Sequence, residues 1–279
     1  MISALYLVAT PIGNLDDITI RAIEILKSVD LIACEDTRHT GGLLAHYGIK
    51  KKLSSLHQHN EKSKSNSLIK KIHEGESIAY VSDAGTPAIS DPGAYLVNAA
   101  LDEKIKVIPI PGPSSIITAF SASGIQSTNF QFHGFLPNTD NKCKKVLHET
   151  STKDCPTIFL VSPHKILKTL EMLEEIYGQS HQVFIARELT KIYETLYKDT
   201  LSNILVKFKS NANNQKGEFV LVVEPKHNLN DSEEDLIIKD ALTIMMKQLP
   251  LKQSVELTTA IFKKHKNEVY NLALELKND

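Results

Sequence analysis

The sequence predicts an α/β protein in parts: a mostly parallel N-terminal sheet, a mixed α+β second domain and a small helical C-terminal subdomain. Three observations predict it. Short apolar strands alternate with helical segments through residues 1–116. The alternation loosens after Ser123-Gly124, and the polar stretch PKHNLNDSEED separates everything before it from a run of amphipathic helices. The boundaries expected are 1–116, 117–226 and 233–279. Alternating β and α segments with short connections imply a parallel sheet covered by helices.

Taken in order, Leu5 to Ala9 reads as the first strand. Asp16 to Val29 reads as a helix, because Ile18, Ala22, Ile25, Leu26 and Val29 recur at helical spacing. Leu31 to Cys34 is the next strand, and a helix runs from near Thr37 to Gly48. Strand Leu53 to Leu56, a helix around Asn66 to His73, strand Ile78 to Val81, a helix after Pro92 and strand Val107 to Ile110 continue the pattern. Beyond Gly124 the expected strands are Phe130 to Phe132, Thr157 to Val161, Gln182 to Ala186, Tyr193 to Tyr197 and Phe219 to Val223. ARELTKIYETLYKD reads as a hairpin, and Lys216-Gly217 as the turn into the last strand. Irregular spacing of this kind suits a partly antiparallel sheet. Amphipathic helices fill Leu236 to Lys277. They fit packing on the second domain.

Composition excludes more than it selects. Hydrophobic residues make up 42% and charged residues 23% of 279, an ordinary globular balance. The net charge of −1 gives no bulk pull toward nucleic acid or membrane. ISALYLVATPIG at the N-terminus is too short an apolar run to span a bilayer and lacks a basic leader, so it is expected to be a strand and not a signal peptide. Cys34, Cys143 and Cys155 have neither metal nor redox spacing, which suits reduced thiols in a cytoplasmic protein. No P-loop and no GxGxxG follows the first strand, and no GxSxG elbow occurs, which argues against nucleotide hydrolysis, NAD chemistry and serine hydrolysis.

Four loops fall at carboxyl ends of the expected N-terminal strands: ATPIGN (9–14), CEDTRHT (34–40), SDAGTP (82–87) and PIPGPSS (109–115). Open α/β sheets bind ligands along that edge. In VSDAGTPAISDPG (81–93), Ser82 and Asp83 offer side-chain oxygens, and Gly85 lets a ligand approach the backbone. Asp91-Pro92 is expected to start a helix, with Asp91 as its cap and Pro92 at its first position. Ser114 and Ser115 sit where helix-start N–H groups point outward, a place for a carboxylate, a phosphate or an adenine edge. The alternative for each loop is an ordinary polar connection; four on one edge favour a cleft. CEDTRHT puts Glu35, Asp36, Arg38 and His39 within five positions. It is either a solvated loop with an internal Asp–Arg pair or a source of acid, base and phosphate-binding groups. His57 and His59 share a face without a third ligand at usual metal spacing, so no metal site is expected. Ser162-Pro163 repeats the cap-and-proline helix start in the second domain, and Lys142, Lys144, Lys145 and Lys153 form a basic patch.

Read together, LYLVATPIGNLDDITIRAIEILKSVDLIACEDTRHTGGLL, VSDAGTPAISDPG, PGPSSIITAFSASG, GFLP, ARELTKIYE, KGEFVLVV and EVYNLALELK occur in that order. This series closely resembles the ribosomal RNA small-subunit methyltransferase I family of the tetrapyrrole-methylase superfamily, from about Ala4 to Lys277. The resemblance implies a two-domain methyltransferase that binds S-adenosylmethionine (SAM) in the cleft between domains. It implies methylation of the ribose 2′-hydroxyl of a cytidine in the decoding centre of 16S rRNA, on the small ribosomal subunit. Carried over by motif, SAM contacts fall on Pro11, on Asp83, Ala84, Gly85 and Thr86, on Ser114 and Ser115, near Val161 and near Ala186. The cleft-edge loop makes Asp36 and His39 candidates for proton removal or hydroxyl orientation, with Arg38 on the adjacent phosphate. TPIGN, without the glycine-rich first loop of the tetrapyrrole-methylating relatives, agrees with the RNA branch. VSPHK stands where that family usually has ESPHR, and Asn138-Thr139-Asp140 intervene before the lysines after GFLP. A cytoplasmic homodimer is expected, with no membrane partner. The rival readings are a small-molecule (tetrapyrrole-type) SAM methylase and a non-catalytic ribosome-assembly factor.

Overall fold

A computed structural model of the chain describes residues 1–226, 231–262 and 264–278. Met1–Pro225 form one compact unit and Lys226–Asp279 a second. Within the first unit stand two five-stranded sheets.

The first sheet is entirely parallel. Its strands are β1 (Leu5–Val8), β2 (Leu31–Cys34), β3 (Lys52–Ser55), β4 (Ile78–Val81) and β5 (Val107–Ile110), in the order β3-β2-β4-β1-β5. Helices α1 (Ile20–Ser28) and α2 (Thr37–His46) carry the chain from β1 through β2 to β3. Their Ala22, Leu26 and Leu44 pack on the face bearing Tyr6, Val8, Ile32 and Val81. Helices α3 (Glu61–His73) and α4 (Ala94–Asp102) carry it back through β4 to β5, and their Leu68, Ile72, Leu96 and Ala100 pack on the face bearing Leu5, Ala33, Ile78 and Tyr80. Uniform crossover handedness requires this, because connections running in opposite directions along a sheet must lie on opposite faces. The chain therefore leaves neighbouring β1 and β4 toward opposite faces. Their carboxyl ends form the switch-point crevice where open α/β sheets bind ligands.

Four local expectations are corrected by the structure. The helix expected from Asp16 begins as a separate 3-10 turn (Leu15–Asp17); Ile18 and Thr19 are extended, and Thr19 caps α1 through the Ala22 N–H at 3.1 Å. Asp91 and Pro92 do not start α4. Gly93 precedes it at φ +124°, and the N–H groups of Gly93 and Tyr95 donate to Glu61 Oε1 on α3 at 2.8 and 3.1 Å. A residue from another helix has taken the cap, and a Cβ at Gly93 would overlap the Tyr80 ring. Ser162 does not cap α7 (Ile166–Tyr177); its carbonyl accepts from Lys165 N–H at 3.0 Å in a preceding turn. The strand expected at Tyr193 to Tyr197 runs two to three residues later.

The second sheet is mixed: β6 (Gln131–Phe135) lies parallel to β7 (Thr157–Val161). β10 (Phe219–Val223) then pairs antiparallel with β7 and β8 (Gln182–Arg187), and β9 (Thr195–Thr200) closes a hairpin with β8. α6 (Asp140–Ser151), α7 and α8 (Leu201–Ser210) bury one face around Phe159, Ile185, Phe208 and Leu221. The other face carries Ile158, Phe184, Val220 and Val222. It receives Ala119 and Phe120 of α5 (Ser115–Ser123) and, from the first loop of the parallel sheet, Ile12. That shared apolar cluster joins the two sheets. The expected boundary at 116 falls inside the first turn of α5.

The second unit, described by itself, is a three-helix cluster: α9 (Asp231–Met246), α10 (Leu251–Phe262) and α11 (Lys266–Asn278). Leu242, Val255, Val269 and Ala273 form its buried centre. The expected linker is partly outside the described residues, at 227–230. No described helix is long and apolar enough to cross a membrane.

Candidate active site between the two sheets

The β1 and β4 loops are clasped at the crevice. Thr10 N–H donates to Gly85 carbonyl and Gly85 N–H to Thr10 carbonyl, both at 3.0 Å. Thr10 Oγ1 donates to the Ser82 carbonyl at 3.1 Å. Gly85 adopts φ +77°, which a side chain strains, and its missing Cβ faces Ile12 at 3.4 Å. Thr86 Oγ1 donates to the Pro113 carbonyl at 3.1 Å, tying the β4 loop to the β5 loop, and Ser114 caps α5.

From the other sheet, the hairpin between β8 and β9 reaches the β1 loop. Gly13 has no room for a side chain: a Cβ would stand 2.8 Å from the Leu189 carbonyl and 2.5 Å from Lys191 Cγ. Glu188 and Thr190 are held at φ +51° and +63°. Lys191 Nζ bridges Glu188 Oε1 at 2.9 Å and Glu218 Oε2 at 3.1 Å.

Two cavities open beside this junction. The first, of about 540 Å³, is lined by Pro11, Gly13, Arg38, His39, Asp83 and Lys191 among others. The second, of about 390 Å³, has an apolar wall of Leu160, Val161, Pro163, Ala186 and Leu189, with Asp91, Ser115 and Ser162 at its polar parts. Ile12, Ala84 and Glu218 line both. Of the residues expected from sequence, Pro11, Arg38, His39, Asp83, Ala84, Ser115, Val161 and Ala186 come together here. Gly85, Thr86, Ser114 and Asp36 line neither cavity and shape the loops that do. Lys191 and Glu218 escaped sequence reasoning, although both lie in quoted motifs, ARELTKIYE and KGEFVLVV.

Charge is distributed unevenly across the site. Asp36 caps α2 through the Arg38 N–H at 2.8 Å and holds the guanidinium with both oxygens, at 3.3 and 2.9 Å. Those bonds to Arg38 lower its carboxyl pKa to about 2. Its own N–H donates to Asp83 Oδ1 at 3.1 Å, so the loops after β2 and β4 are joined through a carboxylate. Burial, then the neighbouring carboxylates of Asp83, Asp91 and Asp36, raise Glu35 above the usual range. Burial and Asp83 raise Asp91 as well, against a bond from Ser82. Among the described residues, no group of three or more His, Cys, Asp or Glu side chains is placed to hold a metal ion.

The profile of the tetrapyrrole (corrin/porphyrin) methylases matches residues 4–205, and that of the RsmI C-terminal HTH domain matches residues 231–277. "Ribosomal RNA small subunit methyltransferase I" of Haemophilus influenzae is 45% identical over 272 residues, spanning 97% of this chain and 96% of that protein. The protein of the same name from Vibrio cholerae is 46% identical over 97% of this chain and 94% of its own. The chain belongs to this family. Its members are methyltransferases, and this chain is one by that membership. Among solved structures, a diphthine synthase (TM-score 0.60, 18% identity, 80% of this chain and 90% of that one) has the same fold. So does a uroporphyrin-III-C-methyltransferase from Thermus thermophilus (TM-score 0.56, 18% identity, 80% and 94%). These likenesses place the small subunit methyltransferase I family within the tetrapyrrole-methylase fold.

Proposed function

We propose that this methyltransferase takes SAM as methyl donor and methylates the 2′-hydroxyl of a cytidine in the decoding centre of 16S rRNA, acting on the small ribosomal subunit. The observation that carries the reading is the pair of cavities meeting at Ile12, Ala84 and Glu218, in a chain aligned over nearly its full length with the rRNA methyltransferases. The second cavity fits SAM by chemistry and size. Its apolar wall suits an adenine ring, the carboxylate of Asp91 suits a cationic group, and its volume lies within the range of about 300–1,000 Å³ of small-molecule sites. When bound, SAM supplies an electrophilic methyl group on a sulfonium.

The chain's own residues then have distinct tasks. Pro11, Asp83, Ala84 and Ser115 hold the cofactor from the parallel-sheet side, and Val161 and Ala186 hold it from the mixed sheet. Gly85, Thr86 and Ser114 fix the backbone those residues stand on. Arg38 and His39, exposed on the wall of the first cavity, face an incoming ribose and its phosphate, and Asp36 aims the Arg38 guanidinium. Transfer of a methyl group asks chiefly for alignment of the oxygen with the methyl carbon, so a rigid clasped cleft supplies much of the rate. With net charge near zero, recognition rests on folded RNA shape and local cationic groups. Of the four lysines after GFLP, Lys144 and Lys145 already pair with Glu175 and Glu149, which reduces that patch as a phosphate contact. A cytoplasmic homodimer completes the proposal on the resemblance alone.

The test is transfer of labelled methyl from SAM to small subunits lacking the modification. Label in a single 16S ribose is the expected outcome. Label appearing only on a tetrapyrrole would move the protein to the small-molecule branch.

A further inference from the structure

We propose that Glu218 is the proton acceptor for the ribose hydroxyl, a role that rests on the RNA-methyltransferase reading above. Among the described residues, Glu218 is the one carboxylate that lines both cavities. It therefore stands where a methyl group held in the apolar cavity and a ribose held beside Arg38 and His39 have to meet. Asp83 lines only the first cavity and Asp91 only the second, while both oxygens of Asp36 are taken by Arg38.

The backbone of Glu218 is fixed while its carboxylate is left available. Its N–H donates to Glu188 Oε1 at 2.9 Å, and its carbonyl accepts from Glu188 N–H at 2.9 Å. Gly217 before it sits at φ +97°, where a Cβ would collide with the Glu188 side chain, so the approach to β10 requires glycine. The side chain is 79% exposed. Lys191 holds Oε2, and no hydrogen bond from a described residue reaches Oε1. Lys191 is itself held by Glu188, so the lysine orients the Glu218 carboxylate without being free to move away.

The chemical step balances with SAM as co-reactant. A lone pair on the 2′-oxygen forms the new O–CH3 bond, the S–CH3 bond breaks, and its electron pair stays on sulfur as the neutral thioether. The hydroxyl proton passes to Glu218 Oε1 and from that exposed carboxyl to solvent. A carboxylate is basic enough, because the O–H becomes strongly acidic as the oxygen is alkylated.

Three proteins test this: wild type, Glu218→Gln and Glu218→Ala. Each is measured in single-turnover methyl transfer to unmodified small subunits, in SAM binding by calorimetry and in small-subunit binding by sedimentation. Both variants are expected to lose about 100-fold or more in rate, the scale of positioned general-base catalysis, with both affinities within about twofold of wild type. Added formate is expected to restore part of the rate of Glu218→Ala and none of that of Glu218→Gln. A near-wild-type rate in Glu218→Gln overturns the assignment. So does a loss traced to weakened SAM or subunit binding, or a Glu218→Ala rate that formate leaves unmoved. Wild-type protein that labels no 16S ribose overturns the functional reading itself, and this role with it.

Discussion

The two sheets have five strands each and meet at one cleft, yet they build their halves of it differently. The parallel sheet contributes loops that directly follow strands, pinned to one another by backbone, carboxylate and hydroxyl bonds: Thr10 to Gly85, Asp36 to Asp83, Thr86 to Pro113. The mixed sheet contributes a hairpin bend with two residues at positive φ, held by the Glu188–Lys191–Glu218 ion pairs. In the first, position follows from topology, because every parallel strand ends on the same edge. In the second it follows from register. Phe219 pairs with Arg187, and this pairing sets Glu218 against Glu188 and brings Lys191 within reach of both.

The largest effect expected on this comparison comes from emptying each core in turn. Phe159 and Leu5 are fully buried, one in each sheet. Phe159→Ala should cost about 3–5 kcal/mol and Leu5→Ala about 2–5 kcal/mol. If the residues up to Pro225 unfold as one unit, both variants shift a single denaturant transition. Two separated transitions would support residues 1–116 and 117–226 as independent domains.

Next is Gly13→Ala, which inserts a methyl group between the sheets against the Leu189 carbonyl. Overpacking of this kind costs about 1–3 kcal/mol. Because the strain lies between the two walls, SAM affinity by calorimetry should fall as well. Stability lost with affinity unchanged would mean that the hairpin does not help shape the cofactor cavity.

The smallest effect has the opposite sign and belongs to the parallel sheet alone. Burial and neighbouring carboxylates raise the pKa of Glu35, so its charged form is less favourable folded than unfolded. That penalty is absent below the ordinary Glu range, where the group is protonated in both states, and complete above the raised folded value. Glu35→Gln should therefore raise the melting temperature at pH 7–8 by about 1–3 °C, with the gain vanishing near pH 3. An equal gain at both pH values would show a packing effect instead.

The parallel sheet was readable because each of its strands and most of its helices announce themselves locally, through apolar runs and turn residues. The fold class, the order of elements and the four loops on one edge could all be found that way. What failed were assignments whose deciding partner is distant in sequence. Asp91-Pro92 has every local mark of a helix start, but Glu61, on the preceding helix, supplies the bonds to the first turn of α4. Ser162 has the same marks and lines a cavity instead. Lys191 and Glu218 are 27 positions apart, and only strand register makes them one feature. For the loop after β2 the sequence left two readings open, and the structure shows the internal Asp36–Arg38 pair.

The two reciprocal bonds between Thr10 and Gly85 have a consequence for how the cleft opens. They join loops from adjacent strands of one sheet, so neither loop can swing outward by itself. Both bonds must break together, and the amides of these two loop residues should exchange with deuterated solvent in step, at the pace of strand amides. Entry to the cavities is then left to the side of the β8–β9 hairpin, whose hold on the first loop is by packing and long side chains. The cleft is thus held on one side by backbone bonds and on the other by side chains alone.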